Sequence, residues 1–179
     1  MQPAEVRPAG ADDAAAIARV YGHHVLASFA SFEEVPPGAD AMEARRSSEP
    51  RLPWLVATIE DDVVGFAYAG RHRERAAYRW AVDVSVYLDP SATRRGIGSA
   101  LYARLLPEVR RLGYLRAYAG IALPNEASVR LHESFGFTPV GVYHRVGWKL
   151  GGWRDVGWWE LALEDDDLAR PPEEPRRWG

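Results

Sequence analysis

The feature that most constrains the fold is an apolar strand pattern that passes through a basic, glycine-containing turn into a helix pattern. In the strand part, β-branched Val82, Val84 and Val86 alternate with polar residues, the period of a strand with one buried face. The helix part has apolar residues spaced by three or four positions, at Ile97, Leu101, Leu105, Val109 and Leu112. A strand, a turn and an amphipathic helix are therefore predicted in that order.

The turn between strand and helix places hydrogen-bond donors at the start of the helix. The first N–H groups of a helix lack intrahelical partners, and glycine lets a phosphate approach them. Arginine side chains add charge-assisted donors. Two nucleotide motifs are excluded, because Ser99-Ala100 cannot serve as the end of a Walker loop and Leu101 replaces the third glycine of a dinucleotide fingerprint. The predicted phosphate-binding residues are Arg94, Arg95, Gly96, Ile97, Gly98 and Ser99.

The composition limits the classes of protein and of chemistry. With 179 residues, 47% of them hydrophobic, the chain is long enough for one domain, predicted over 1–165 with a loosely ordered extension over 166–179. A net charge of −3 argues against a nucleic-acid binder. No apolar run reaches membrane-spanning length, so a cytoplasmic protein without a membrane partner is expected. The absence of cysteine excludes a cysteine acyl-enzyme, and no metal site is predicted.

The patterns before the central strand predict the start of an α+β domain. A short strand at 4–8 precedes a helix over 14–28, which Asp12 or Asp13 is expected to cap. A second amphipathic helix is predicted near 40–48. Two apolar runs, 52–59 and 63–69, flank an acidic turn and predict a β-hairpin.

The patterns after the central helix complete the prediction. A strand over 115–121 is followed by a helix that Pro124 opens and Gly136 ends, and then by two antiparallel strands, 138–148 and 153–163. Strand, helices, three strands, helix, strand, helix and two strands imply an α+β fold with a mixed, mostly antiparallel central sheet flanked by helices.

The glycine turn and two later stretches are similar to those of a known family. RRGIG after a VSVY strand resembles the acetyl-CoA loop of the GNAT superfamily of N-acetyltransferases, with Thr93 where that loop has Gln or Arg. IALPNEASVRLHESFGF and VGWKLGGWRDVGWW resemble signatures of the phosphinothricin and methionine sulfoximine acetyltransferases, and the similarity covers 21–161. The resemblance implies direct acetyl transfer from acetyl-CoA to the α-amine of a small glutamate-like amino acid, in a homodimer.

Acetylation of an amine needs a base, because the amine of a free amino acid is mostly protonated near neutral pH. Asp83 lies among valines, where burial is expected to raise the pKa of its carboxyl; an ion pair with Arg73 or Arg75 is the simpler alternative. His132 is the second candidate, on an apolar helix face, where a structural histidine is the alternative. Both residues stay open as the catalytic base.

The remaining contacts of acceptor and cofactor are also predicted from residue type. Arg73 and Arg75 can bind a carboxylate or phosphinate, and on a strand two residues apart they share one face. Phe32 is a candidate wall of the acceptor pocket, whereas Lys149, the only lysine, is given no role. The predicted contacts of acetyl-CoA outside the phosphate turn are the backbone N–H groups of Val86, Tyr87 and Leu88 and the side chain of Asn125.

Three positions depart from the family pattern and leave the acceptor open. Asp83 stands where the family usually has Glu, Arg154 where it has His, and Trp148 where it has Phe or Tyr. One alternative is an acetyltransferase for another amine, either a peptide N-terminus or a polyamine, although the two arginines argue against a polyamine. The other alternative is a catalytically silent acyl-CoA-binding module.

Overall fold

The computed structural model of the protein describes residues 4–164 and 172–179. Its strands are β1 (Glu5–Pro8), β2 (Trp54–Ile59), β3 (Asp62–Arg71), β4 (Ala81–Leu88), β5 (Arg116–Leu123), β6 (Thr138–Lys149) and β7 (Gly152–Ala162). Its helices are α1 (Ala14–Ala27), α2 (Ala39–Arg46), α3 (Ile97–Arg111) and α4 (Glu126–Ser134). The predicted order of elements is confirmed.

The strands form one seven-stranded sheet in the order β1-β2-β3-β4-β5-β7-β6. Neighbouring strands are antiparallel except β4 and β5, which are parallel, so the predicted mixed sheet is confirmed. The pairing of β4 with β5 covers only Ala81–Asp83 against Arg116–Tyr118. Beyond Asp83 the two strands separate, and the edges that face each other there are left without strand partners.

The residues of β4 divide between the two faces of the sheet, because side chains alternate along a strand. Val82 and Val84 are buried in the apolar core on the side of α3. Asp83, Ser85 and Tyr87 lie on the opposite face, where Tyr87 packs against the core formed with α1 and α2. The polar residues of the predicted central strand are therefore delivered to one face of the sheet.

The apolar stripe predicted for the central helix is confirmed in α3. Its members are 0–3% exposed: Ile97, Leu101, Leu105, Val109 and Leu112. Burying one such side chain contributes about 1.5–3 kcal/mol relative to leaving it exposed. This packing holds the start of α3, and with it the glycine turn, against the sheet.

The acidic turn between β2 and β3 is a two-residue hairpin loop, as predicted. Glu60 and Asp61 have φ angles of 50° and 69°, the left-handed conformation at both central positions that matches the twist of the flanking strands. Acidic residues tolerate this conformation better than β-branched residues do.

The predicted capping of α1 by an aspartate side chain is wrong. Asp13 makes no capping bond to α1. Its carboxylate instead accepts hydrogen bonds from the backbone N–H of Gly10 (2.7 Å) and from both terminal nitrogens of Arg7 (2.7 Å each). A buried carboxylate needs several donors, and the guanidinium of the preceding strand supplies two of them. The helix start is thus tied to β1.

Helix α4 begins later than the sequence pattern indicates. Pro124 precedes the helix, and Asn125 is its N-cap, with Oδ1 accepting from the N–H of Ser128 (3.1 Å). Asparagine is favoured at this position because its side chain satisfies a free N–H of the first turn. Gly136 follows the helix with φ of 88°, which confirms the predicted stop.

The C-terminal segment has contacts that its composition did not predict. Of the predicted extension over 166–179, residues 166–171 lie outside the described residues. In residues 172–179, the N–H of Arg176 donates to the carbonyl of Leu112 (2.7 Å) and the N–H of Trp178 donates to the carbonyl of Arg51 (3.0 Å). These bonds tie the described part of the segment to the folded body. No helix in the described ranges has the length and apolar character needed to cross a bilayer.

Candidate active site

The separation of β4 from β5 creates a cleft of about 270 Å³ between the two strands. One wall is the second half of β4, the other is the second half of β5, and α4 closes the end. The N–H of Asp89 donates to the carbonyl of Val64 on β3 (2.8 Å), so it points toward β3. N–H groups alternate in direction along a strand, so those of Val86 and Leu88 point away from β3 and into the cleft.

The same alternation turns the N–H of Tyr87 toward β3, so its predicted role as a backbone donor is wrong. The ring of Tyr87 instead lines the cleft and packs against His24, with ring centroids 5.2 Å apart. His24 Nε2 lies 2.8 Å from the carbonyl of Leu88, which accepts this hydrogen bond. The end of β4 is thereby held by α1, a contact that the sequence pattern did not reveal.

The predicted phosphate turn lies at the start of α3. Arg94 and Gly96 have φ angles of 57° and 74°, so the chain makes a left-handed turn directly before the helix. The first backbone bond of the helix is donated by Ala100 to the carbonyl of Gly96 (2.9 Å). The N–H groups of the three predicted residues before Ala100 are therefore left for a ligand: Ile97, Gly98 and Ser99.

The glycines of this turn serve different purposes. Gly96 has the left-handed φ and open space where a Cβ would lie. Gly98 is buried, and a Cβ there would lie 3.2 Å from Cδ2 of Leu131 on α4. Gly98 is thus required by helix packing as well as by access to the helix N-terminus. Within the described part of the chain, Arg94 and Arg95 form no ion pair, which leaves both guanidinium groups available to an anion.

Asn125 lines the cleft at the start of α4. Its Oδ1 is occupied by the cap bond to Ser128, whereas its amide nitrogen can still donate to a ligand. Together the cleft offers the N–H groups of β4, the N-terminus of α3 and one side-chain amide. These donors fit an elongated cofactor with amides at one end and a pyrophosphate at the other.

A second cavity of about 520 Å³ lies on the face of β4 that carries Asp83 and Ser85. The loop after α1 and the strands β6 and β7 form its other walls. Phe32 lines this cavity as predicted from the sequence, and its ring lies against Gly147, where a Cβ would be 2.2 Å from Cε2 of Phe32. Only glycine lets β6 pass this close to the ring.

Asp83 faces the second cavity with 34% of its side chain exposed. Its Oδ1 lies 2.6 Å from Nδ1 of His72, so its partner is a histidine and not one of the arginines considered in the alternative interpretation. Burial raises the pKa of the Asp83 carboxyl, whereas the bond from His72 and the charge of Arg73 act in the opposite direction. A raised pKa suits a general base.

The two arginines predicted to clamp the acceptor do not share a strand face, because β3 ends at Arg71 and both lie in the following loop. The guanidinium of Arg73 lies 5.5 Å from the ring centre of Trp158, which lines the Asp83 cavity. Arg73 and Arg75 both line a different cavity of about 340 Å³, together with Arg79. Arg73 also contacts the wall of the Asp83 cavity, through Trp158.

His132 is buried, with 3% exposed, between α3 and α4. Its Nδ1 lies 2.7 Å from the carbonyl of Ser128 and its Nε2 lies 2.9 Å from the hydroxyl of Tyr102. Since a carbonyl only accepts, Nδ1 donates and Nε2 accepts from the tyrosine. Burial lowers the pKa of this imidazole below its usual value. His132 lines the cofactor cleft rather than the Asp83 cavity.

Sequence reasoning missed the residues that hold the loop after α1. Glu33 of this loop accepts two bonds from Arg45 (2.7 and 2.9 Å) and one from the hydroxyl of Tyr21 (2.8 Å). Lys149 is buried, with 7% exposed, and its Nζ donates to the carbonyl of Glu33. The sequence signal for this contact was a single lysine within an aromatic stretch. A lysine buried there requires hydrogen-bond acceptors for its ammonium group.

Two departures from the family pattern have visible contacts. Arg154 places its guanidinium 4.5 Å from the ring centre of Phe29, in the loop after α1. Its Nε donates to the carbonyl of Lys149 (3.2 Å). Trp148 is exposed and meets Trp153 edge to face, with centroids 5.4 Å apart. Arg154 thus contacts the loop after α1 and the end of β6, and it is not among the residues that line the Asp83 cavity.

The fold and the cleft define a class of protein. The family model described as the Acetyltransferase (GNAT) family matches residues 19–137, and the chain belongs to this family. The resemblance stated from the sequence, the GNAT fold and the enzyme class of acetyltransferase are confirmed.

Individual relatives make the similarity more specific. The chain is 40% identical to the phosphinothricin N-acetyltransferase of Streptomyces viridochromogenes over 172 residues, which are 96% of this chain and 92% of that protein. It is 35% identical to the L-methionine sulfoximine/L-methionine sulfone acetyltransferase of Salmonella typhimurium, with 89% of this chain and 95% of that protein covered. The crystal structure of a phosphinothricin acetyltransferase from Sinorhizobium meliloti in complex with AcCoA is similar with a TM-score of 0.90 and 35% identity, covering 97% of this chain and 95% of that chain.

Proposed function

We propose that this chain transfers the acetyl group of acetyl-CoA directly to the α-amine of a small glutamate-like amino acid, such as phosphinothricin or methionine sulfoximine. Relatives named for these two acceptors are 40% and 35% identical over most of the chain. These names favour an amino-acid acceptor over a peptide N-terminus or a polyamine, and membership in a family of acetyltransferases favours an enzyme over a silent binding module.

The observation that carries this proposal is the meeting of two cavities at one strand. Val84, Ser85 and Tyr87 line both the cofactor cleft and the Asp83 cavity. Across from them, Gly120 and Ala122 of β5 also line both. A cofactor in the cleft and an amine beside Asp83 would thus meet across small side chains, which is the proximity that direct transfer requires.

The cofactor residues fit acetyl-CoA, which supplies an activated thioester carbonyl when bound. The free N–H groups at the start of α3, with Arg94 and Arg95, suit its pyrophosphate. The N–H groups of Val86 and Leu88 suit its amide arm and the thioester oxygen, where donors stabilise developing negative charge. Binding therefore depends mainly on backbone groups. Transfer without a metal stays a prediction.

Asp83 is the base favoured by the geometry. Its carboxylate faces the acceptor cavity, so it can take a proton from the acceptor's ammonium group. The neutral amine can then attack the thioester carbonyl: the C–N bond forms, the C–S bond breaks, and coenzyme A leaves as a thiolate that takes up the second proton lost by the nitrogen. Both nitrogens of His132 have protein partners, and this residue lines the other cavity. We assign His132 to the support of the cleft, between α3 and α4.

The acidic end of the acceptor is assigned to Arg73. A guanidinium presents paired donors to a carboxylate or phosphinate, and this one contacts Trp158 in the wall of the cavity that contains Asp83. Arg75 lines, with Arg73, the separate cavity of about 340 Å³ and is assigned a longer-range electrostatic role. Phe32 is assigned to the wall that excludes water from the reacting atoms.

We also propose a homodimer formed through β6. This edge strand exposes several apolar side chains, at Val140, Val142, Tyr143, Val146 and Trp148. An exposed apolar edge strand favours association with another chain. A cytoplasmic location without a nucleic-acid or membrane partner stays a prediction. Sedimentation of the purified chain is expected to give twice the monomer mass, and a monomer at micromolar concentration would contradict the proposal.

The acceptor can be tested by measuring thiol release from acetyl-CoA. We expect release to be stimulated by phosphinothricin, methionine sulfoximine or glutamate, and not by spermidine or an alanine-terminated peptide. Stimulation by the amine or the peptide alone would move the function to one of those classes. Binding of acetyl-CoA without release for any acceptor would make the chain a silent binding module.

A further inference from the structure

His72 contacts the proposed base and takes no part in the steps described so far. Its Nδ1 lies 2.6 Å from Oδ1 of Asp83, and its side chain is 11% exposed. The ring stacks on Tyr118 of β5, with centroids 4.4 Å apart and planes inclined by 22°. Tyr78 and Trp158 meet it edge-on at 6.0 and 6.1 Å. Aromatic contacts on several sides hold this imidazole in one plane.

A ring held in this way restrains the carboxylate that it contacts. The N–H at Nδ1 donates to Oδ1 of Asp83, and at 2.6 Å this is a short, charge-assisted bond. Rotation of the carboxylate about its last bond would break the contact. One oxygen of Asp83 is therefore held by His72, while the other is left for the acceptor amine.

We propose that His72 is the positioning residue of Asp83, because it fixes the carboxylate so that Oδ2 faces the acceptor in a basic form. This inference rests on the proposed function, in which Asp83 is the base. His72 touches neither reacting atom, so its effect acts through the carboxylate. A residue in the β3–β4 loop thus sets the geometry of a group on the central strand.

The charges around the pair act in both directions. Burial raises the pKa of the Asp83 carboxyl, and the bond from His72 is the largest influence that lowers it. Arg73 from the same loop also lowers it. Without His72, less would oppose the effect of burial on the Asp83 carboxyl. Its pKa would therefore rise, and the carboxyl would be protonated at higher pH. Other titratable groups also face His72 and Asp83, from the same loop and from the packed strands. They are Tyr78, Tyr68, Tyr118 and, through Tyr118, Glu160.

The proposal is tested with two variants that treat the ring and the bond separately. H72F keeps the stacking on Tyr118 and removes the donor, whereas H72N keeps a donor near the position of Nδ1. For H72F we expect kcat to fall roughly 10- to 100-fold, in the range known for small misplacements of a catalytic group. The acidic limb of its kcat profile should move to higher pH, because the folded pKa of Asp83 rises. H72N should retain the limb and most of kcat.

Two controls separate positioning from general damage. Acetyl-CoA affinity should be unchanged in H72F, since the cleft does not contain His72, and H23F on the exposed face of α1 should behave as the parent. In a D83N background, H72F should cause no further loss. An additional loss there, or an unshifted pH profile in H72F, would overturn the inference. Full activity of D83N would instead remove Asp83 as the base and so overturn the proposed function.

Discussion

The cofactor cleft and the acceptor cavity share β4 but are built in different ways. The cleft comes almost entirely from one stretch, 84–132, with His24 and Ala30 as its other lining residues, and most of its donors are backbone N–H groups at strand and helix ends. The acceptor cavity combines side chains from 30–33, from β4, from β5 and from β6 and β7. Loop residues His72 and Arg73 reach its edge from a further segment.

This difference predicts where change is tolerated. A backbone donor is present whatever the side chain, so the cleft depends on a few glycines and on the packing of α3 and α4. A side-chain pocket changes with each residue and with each contact that holds its loops. We therefore assign the chemistry that the family shares to the cofactor cleft, and the choice of acceptor to the acceptor cavity.

The largest expected effect is a loss of kcat without a loss of acetyl-CoA affinity when Asp83 is replaced. D83N keeps the shape of the side chain and removes its basicity, so kcat should fall roughly 10²- to 10⁴-fold with little change in acetyl-CoA affinity. Below the pKa of Asp83 the carboxyl is protonated and cannot accept a proton, so the parent enzyme should lose activity toward acidic pH and D83N should lack this limb. Steady-state kinetics across pH and calorimetry with acetyl-CoA provide both readouts.

H132A is the comparison for this prediction. We expect it to weaken the α3–α4 contact and acetyl-CoA binding, because His132 on α4 bonds the hydroxyl of Tyr102 on α3 across that contact. Near-normal kcat in D83N together with a large loss of kcat in H132A would transfer the role of base to His132.

The second prediction tests whether the two arginines act in one cavity. R73A should raise KM for an anionic acceptor roughly 10- to 150-fold, the loss of a charge-assisted bond of about 1.5–3 kcal/mol. R75A should have a smaller effect, because Arg73 contacts Trp158 in the wall of the Asp83 cavity whereas Arg75 lies two residues further along the loop. Acetyl-CoA affinity should not change in either variant. Equal increases in KM would show that both guanidinium groups reach the same acceptor.

The third prediction concerns the loop after α1. K149M keeps the length of the buried side chain and removes its bond to the carbonyl of Glu33, so the free energy of unfolding should fall by about 1–3 kcal/mol. KM for the acceptor should rise because Phe32 and Glu33 lose their support. R130M, which removes an exposed ion pair with Glu126, is the control and should change stability by less than about 1 kcal/mol. Urea unfolding measures both, and equal losses would argue against a special role for Lys149.

The smallest expected effect comes from replacing Gly98. It distinguishes helix packing from access for the phosphate as the reason for a glycine at this position. G98A places a methyl group 3.2 Å from Cδ2 of Leu131, so overpacking of roughly 1 kcal/mol is expected, with about a fivefold loss of acetyl-CoA affinity. In the double variant G98A/L131A the helices have room again. If affinity stays low in that variant, the methyl group obstructs the phosphate directly; recovery would assign Gly98 to packing alone.

Regions with local signals were predicted well from the sequence. The strand alternation at Val82, Val84 and Val86, the helix stripe of α3 and the glycine turn between them all depend on neighbours within a few residues. The hairpin at Glu60 and Asp61 and the stop at Gly136 are of the same kind. The backbone conformations of these residues are set locally, so residue type and spacing were sufficient.

Two of the errors have a common physical cause. The cap of α1 was expected from Asp12 or Asp13, but the carboxylate of Asp13 is taken by Arg7 on the strand before it. The alternative partners considered for Asp83 were two arginines, because the bend that follows Arg71 and places His72 against Tyr118 has no local signature. Both errors concern which of several suitable partners a charged group contacts.

The sequence by itself determined the α+β architecture, the position of the phosphate turn and the family, because periodicity, glycine positions and motif strings are properties of the chain. Only the tertiary structure decided that β4 and β5 part beyond Asp83, that the N–H groups of Val86 and Leu88 rather than that of Tyr87 face the gap, and that His72 contacts Asp83. Those facts depend on register and on contacts between distant segments. Such contacts are selected by packing the whole chain at once, and no local pattern encodes them.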